Sequence, residues 1–171
     1  MREASGASPV FRQRPPGQPW AAQDWEQLRE LAVGRMQRSG LPDDVRLRWG
    51  RVALAAISGK HGEDGLSRQG MADAARARAY MILEFGVSDS DAVRDLSALC
   101  SDVLGCLGLS HEAAVRLAGE WRSLPREQML RLRRIKNMLN ALMPLRALLE
   151  GDDDPALRDV RAWLELVPRL P

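Results

Sequence analysis

Apolar side chains recur every third or fourth position along most of this chain, and nowhere do they alternate with polar ones over the length of a strand. Caps and breakers divide the pattern into about seven helical segments. Asp24 followed by Gln27 resembles a capping box, after which Trp25, Leu28, Leu31, Ala32 and Met36 share one face. Gly40, Leu41 and Pro42 open a second helix with Val45, Trp49, Val52 and Ala56 inward, and Gly59 is placed to end it in a left-handed conformation. The stretch Lys60 to Gly65 is the longest internal loop candidate. Ser67 caps a third helix whose Met71, Ala74, Ala75, Ile82 and Phe85 point to the core before Gly86 closes it. Its alanines, Ala72, Ala74, Ala75, Ala77 and Ala79, predict close approach of a neighbouring helix.

Ser88 to Asp91 reads as a capping box for a helix carrying Val93, Leu96, Cys100, Val103 and Leu107 up to Gly108. Ser110 caps a shorter helix with Ala114, Leu117, Ala118 and Trp121, which ends at Ser123, Leu124 and Pro125. Leu132, Ile135, Leu139 and Leu142 then line one face of a helix that Pro144 must kink or end. Asp152, Asp153 and Asp154 before Pro155 announce the last helix, with Leu157, Val160, Leu164 and Val167 inside. The expectation is an all-α fold, an irregular bundle of about six or seven short to medium helices. Residues 1–20, rich in Ser, Gly and Pro, read as a flexible leader, and 21–171 as a single helical domain. No repeat of constant period argues for a solenoid.

Composition supports this reading. Apolar residues make up 45% but aromatics only 5%, so the core must be built from Leu, Ala, Val and Met, which are helix formers. Arginine outnumbers lysine 23 to 2, the usage expected of a GC-rich bacterial genome. Cys100 and Cys106 fall about 120° apart around one helix, a poor geometry for mutual bonding, and read as small buried thiols in a reducing compartment. No apolar run reaches the length of a membrane span, so the expected location is the cytoplasm, with no membrane partner.

Catalytic chemistry finds little support, and the expectation is a non-enzyme with no catalytic residue, metal site or cofactor. Cys100, Cys106 and His111 lack both a fourth ligand and the tight paired spacing of a zinc site. His111, just after the Ser110 cap, reads as a solvated first-turn residue. Neither histidine stands near a nucleophile motif, and Ser58, Gly59, Lys60 and His61 depart from the order of a phosphate-binding loop. Asp43 with Asp44, and Glu63 with Asp64, occupy helix starts or loops where acids serve as caps.

The charge pattern is more informative. Between Trp121 and Ala147 lie seven basic residues (Arg122, Arg126, Arg131, Arg133, Arg134, Lys136 and Arg146) and one acid, Glu127, while residues 87–120 hold six acids and two arginines. The chain is thus striped although its net charge is only +2. A helical projection puts Arg126, Arg133, Arg134, Asn137 and Asn140 opposite Leu132, Ile135 and Leu139, with Leu130 turned toward the basic side. Leu47, Leu54 and Leu99 widen their stripes beyond the usual arc.

Such a stripe either pairs with acids of the same chain or meets a complementary partner. The favoured expectation is a protein–protein interaction module, an adaptor, accessory or regulatory subunit, that binds an acidic protein surface through Arg126, Leu130, Arg133, Arg134 and Asn137. Trp20 and the leader would supply a second contact. The alternative is a helical DNA-binding regulator using the same arginines. Residues 66–86 have a faint helix-turn-helix cadence, but Arg76 stands where the turn glycine belongs, so one continuous helix is the simpler reading.

Overall fold

A computed structural model describes residues 19–61, 68–87, 90–150 and 153–171. These residues form seven α-helices and no strand: α1 (Ala22–Met36), α2 (Asp43–His61), α3 (Arg68–Phe85), α4 (Leu96–Leu107), α5 (His111–Gly119), α6 (Arg126–Leu142) and α7 (Pro155–Leu166). Three 3₁₀ turns, Trp121–Ser123, Met143–Leu149 and Val167–Arg169, complete the path. The all-α bundle expected from the apolar spacing is what the chain adopts. No helix among the described residues is long and apolar enough to cross a membrane.

Most of the predicted ends are found. Gly86 and Gly108 take left-handed φ values of 84° and 63° after α3 and α4, a conformation that costs glycine least. Ser110 caps α5 by accepting the Ala113 amide at 3.2 Å, and Asp154 caps α7 by accepting the Ala156 and Leu157 amides. Pro144 ends α6, and the chain tightens into a 3₁₀ segment from Met143.

Four local expectations fail. Asp24 is the third residue of α1 rather than its cap, and its carboxylate reaches back to the Ala21 amide at 2.8 Å. Gly59 does not stop α2, which runs on to His61; its missing side chain leaves room for the Trp25 indole. Of the predicted loop, Lys60 and His61 are therefore helical, and 62–65 lie outside the described residues, as do Ser67, Ser88 and leader residues 1–18. The helix expected from Ser88 begins only at Leu96, because Asp95 provides the better cap, accepting the Ala98 amide at 3.0 Å.

The inward face of α2 is the fourth. Its buried residues are Arg46, Gly50, Ala53, Ala56 and Ile57, while Val45, Trp49 and Val52 are only half-buried. The predicted stripe is about one residue out, because a pattern that treats every arginine as solvent-facing rejects Arg46. Arg46 is instead the one buried charged side chain among the described residues, at 5% exposure. Its Nε donates to the Met36 carbonyl at the end of α1 (3.0 Å), its Nη1 to Asp43 (3.1 Å), and its Nη2 to the Tyr80 hydroxyl (3.0 Å) and Glu84 (2.7 Å) on α3. Phe85 lies beneath the guanidinium, 4.7 Å from it. With its donors satisfied this way, one arginine ties three helices together.

α3 is the central element, between the α1–α2 hairpin and the rest of the bundle. Its Met71, Ala72, Ala75, Ala79 and Ile82 enter the main core with Leu99, Cys100 and Val103 of α4, Leu132, Ile135, Met138 and Leu139 of α6, and Val160, Trp163 and Leu164 of α7. Ala74, Ala77 and Met81 are buried outside that cluster, and Met81 lies against Gly50 of α2. Small residues around the α3 axis let helices approach it on more than one side. Leu99, expected at the margin, is fully buried.

Candidate interaction face on the basic helix

α6 forms because Pro125 precedes its first turn, with its carbonyl accepting the Met129 amide at 3.1 Å, and because an unbroken helical run of apolar residues follows. Leu132, Ile135, Met138, Leu139 and Leu142 are buried on one side, and so is Ala141, in line with Arg134 one heptad on, near the helix's C-terminal end. On the opposite side Arg126, Leu130, Arg133, Arg134, Asn137 and Asn140 are exposed, Leu130 to 40%. All five α6 residues named from the sequence therefore share one solvent face of a single rigid helix.

Three other cations of this region, Arg131, Lys136 and Arg122, have contacts within the chain, while Arg146 is exposed on the 3₁₀ segment after α6. Arg131 donates to the carbonyl of Gly108, the residue that ends α4, and Lys136 donates to the Leu170 carbonyl at 2.7 Å. Both satisfy backbone oxygens near chain turns, where positive charge is favoured. Arg122 lies 5.4 Å from the Trp121 ring.

Among the described residues, no acid of the segment 87–120 forms an ion pair with α6. Two of the segment's carboxylates reach α2 and α3: Asp91 pairs with Arg51 of α2 (3.0 Å), and with Arg94 of its own segment (3.4 Å), and Asp102 pairs with Arg78 of α3 (2.6 Å). Arg78 also donates to the Ala92 carbonyl, and Arg94 to that of Phe85, so arginines bind down the α3–α4 connection. Burial pushes the Asp91 carboxyl up, but the Val93 amide and the Arg51 and Arg94 guanidiniums outweigh it and hold the group below its ordinary range. Asp154 takes the Ser97 hydroxyl at 2.8 Å, and that bond, with the capping amides, lowers its pKa as well. Among the described residues no ion pair joins Arg126, Arg133 or Arg134 to a carboxylate of the chain.

Trp20, the sixth predicted contact residue, lies apart from this face. It is 43% exposed and stacks on Trp25 of α1 with ring centroids 4.6 Å apart, so it belongs to the α1–α2 hairpin, which α3 separates from α6. His111 is not simply solvated. Its Nε2 lies 3.2 Å from the Ala162 carbonyl and its ring meets the edge of Trp163 at 5.2 Å, fastening the start of α5 to α7. Cys100 and Cys106 are not joined to each other, and burial pushes Cys100 up to about 12. No three His, Cys, Asp or Glu residues among those described are grouped as metal ligands.

Comparison with known protein families, curated proteins and solved structures finds no match to this chain.

Proposed function

We propose that this protein is a non-enzymatic, cytoplasmic helical interaction module, an adaptor, accessory or regulatory subunit of a bacterial assembly, that docks an acidic partner protein through the outer face of α6. One observation carries the reading: Arg126, Arg133 and Arg134 surround an exposed leucine on one helix and, among the described residues, have no carboxylate in an ion pair with them. Three cations held near one another raise the local potential, which steers an acidic partner and sets its orientation. Leu130 gives the face an apolar centre, which a protein partner can cover with a side chain of its own.

Nucleic acid is the second reading, favoured by the exposed guanidinium and amide donors of Arg133, Arg134, Asn137 and Asn140. Charge reversal at Arg133→Glu with Arg134→Glu tests the face itself. Far-UV circular dichroism should be unchanged and capture of the partner from a native extract abolished; undiminished capture would exclude this face. Raising the salt then separates the readings, because binding to phosphates weakens log-linearly with a slope of roughly −0.9 per neutralised phosphate whatever the DNA sequence.

A further inference from the structure

Resting on that docking reading, we infer that the partner presents an acidic amphipathic helix laid along α6, with an apolar side chain over Leu130 and carboxylates against Arg126, Arg133 and Arg134. The spacing and the supply of charge carry this. Leu130 and Asn137 are both exposed and seven residues apart, and so are Arg126 and Arg133. On a straight helix each pair is separated by about 10 Å along the axis, with only about 20° of drift around it. Leu130 and Asn137 therefore form a midline, with Arg126 and Arg133 along one side and Arg134 along the other.

Among the described residues the cations bordering this midline form no ion pair, whereas Arg131 and Lys136, away from it, are tied to the Gly108 and Leu170 carbonyls. Of the five cations on α6, the three left over thus lie along its outer ridge, and their complement is a row of carboxylates. A seven-residue repeat is what a second helix offers to a first, since its own side chains return to one face at the same interval. An extended segment returns a side chain to one face about every 7 Å, out of step with a repeat of about 10 Å. Asn137 at a midline position suits a polar partner side chain and would fix the register, as single buried asparagines do in helix pairs.

Arg126 to Asn137 spans about three turns, so the contact falls below the ~1,200 Å² of a standard stable interface and belongs to the fast, salt-sensitive class. Fluorescence anisotropy on the full chain tests it with three probes: a helix-forming peptide with Leu and Asn one heptad apart and Glu flanking them, the same peptide broken by central prolines, and a short duplex DNA. The helical peptide should bind at least about tenfold tighter than the broken one, and should lose about tenfold or more on Arg133→Glu with Arg134→Glu and measurably on Leu130→Ala. Equal binding of both peptides, lost in the charge-reversed variant, would overturn the helix and leave the acidic-partner reading standing. Binding of neither peptide, or binding indifferent to charge reversal, would overturn both. Duplex bound in preference, with the same residues required, would replace both with nucleic-acid recognition.

Discussion

Gly34 and Gly59 each stand third from the end of a helix, α1 and α2, yet replacing them with alanine should have opposite effects on stability. Alanine in a helix is favoured over glycine by about 0.5–1 kcal/mol, because glycine loses more backbone freedom on folding. A Cβ at Gly34 meets nothing within 4 Å, so Gly34→Ala keeps that gain. At Gly59 the same atom would lie 2.6 Å from Cδ2 and Cε2 and 2.7 Å from Cζ2 of Trp25. The indole is a rigid plate with Trp20 stacked on it, so it cannot yield as a flexible methionine would. Overpacking of this kind costs about 1–3 kcal/mol, which exceeds the propensity gain over most of its range. The two variants should therefore differ by roughly 1–3 kcal/mol, with Gly34→Ala above wild type and Gly59→Ala below it. At about 2–4 °C per kcal/mol for a chain of this size, calorimetry should show melting points several degrees apart. Tryptophan fluorescence should change only in Gly59→Ala. Equal melting points for the two variants would refute the claim that Gly59 exists to admit Trp25.

Other perturbations address the hairpin, the pH response and the thiols. Arg46→Ala should speed amide exchange in α1 and α2 before it does so in α4–α7, since it leaves the Met36 carbonyl, Tyr80 and Glu84 without their shared donor; uniform acceleration across the bundle would contradict the assigned role. The Arg29 and Lys60 bonds to Glu26 hold its carboxyl at about 2, below an ordinary 4.5, so this contribution is complete above the unfolded value and is lost as pH falls from 4.5 to about 2. Glu26→Gln should thus flatten the acid limb of a stability-against-pH curve in that window and leave its alkaline side unchanged. In the native protein near neutral pH, iodoacetamide should modify Cys106 faster than Cys100, whose burial keeps it a thiol up to about 12; equal rates by mass spectrometry would place Cys100 at the surface.

Elements whose evidence is local were legible in the sequence. The caps at Ser110 and Asp154, the left-handed glycines after α3 and α4, the stop at Pro144 and the buried faces of α6 and α7 depend on neighbours within one or two helical turns. The exposure of Arg126, Leu130, Arg133, Arg134 and Asn137 followed for the same reason, because the buried face of a helix defines the opposite one. Burial of Arg46 was not legible, although the small residues Gly50 and Ala53 in line with it were a usable sign that this edge of α2 was covered. Its partners lie up to 38 residues away, and no periodicity encodes them.

Sequence alone therefore determined the fold class, the buried faces of α6 and α7 and the cationic ridge, since all three follow from side-chain spacing along a rod of known pitch. Tertiary structure decided which charges are used up. Asp91 and Asp102 meet Arg51 and Arg78, while Arg131 and Lys136 turn to backbone carbonyls, because helix packing and not sequence distance sets which groups come within ion-pair range. It also set Trp20 on the far side of α3 from α6, and it made Gly59 a seat for Trp25 instead of the end of a helix.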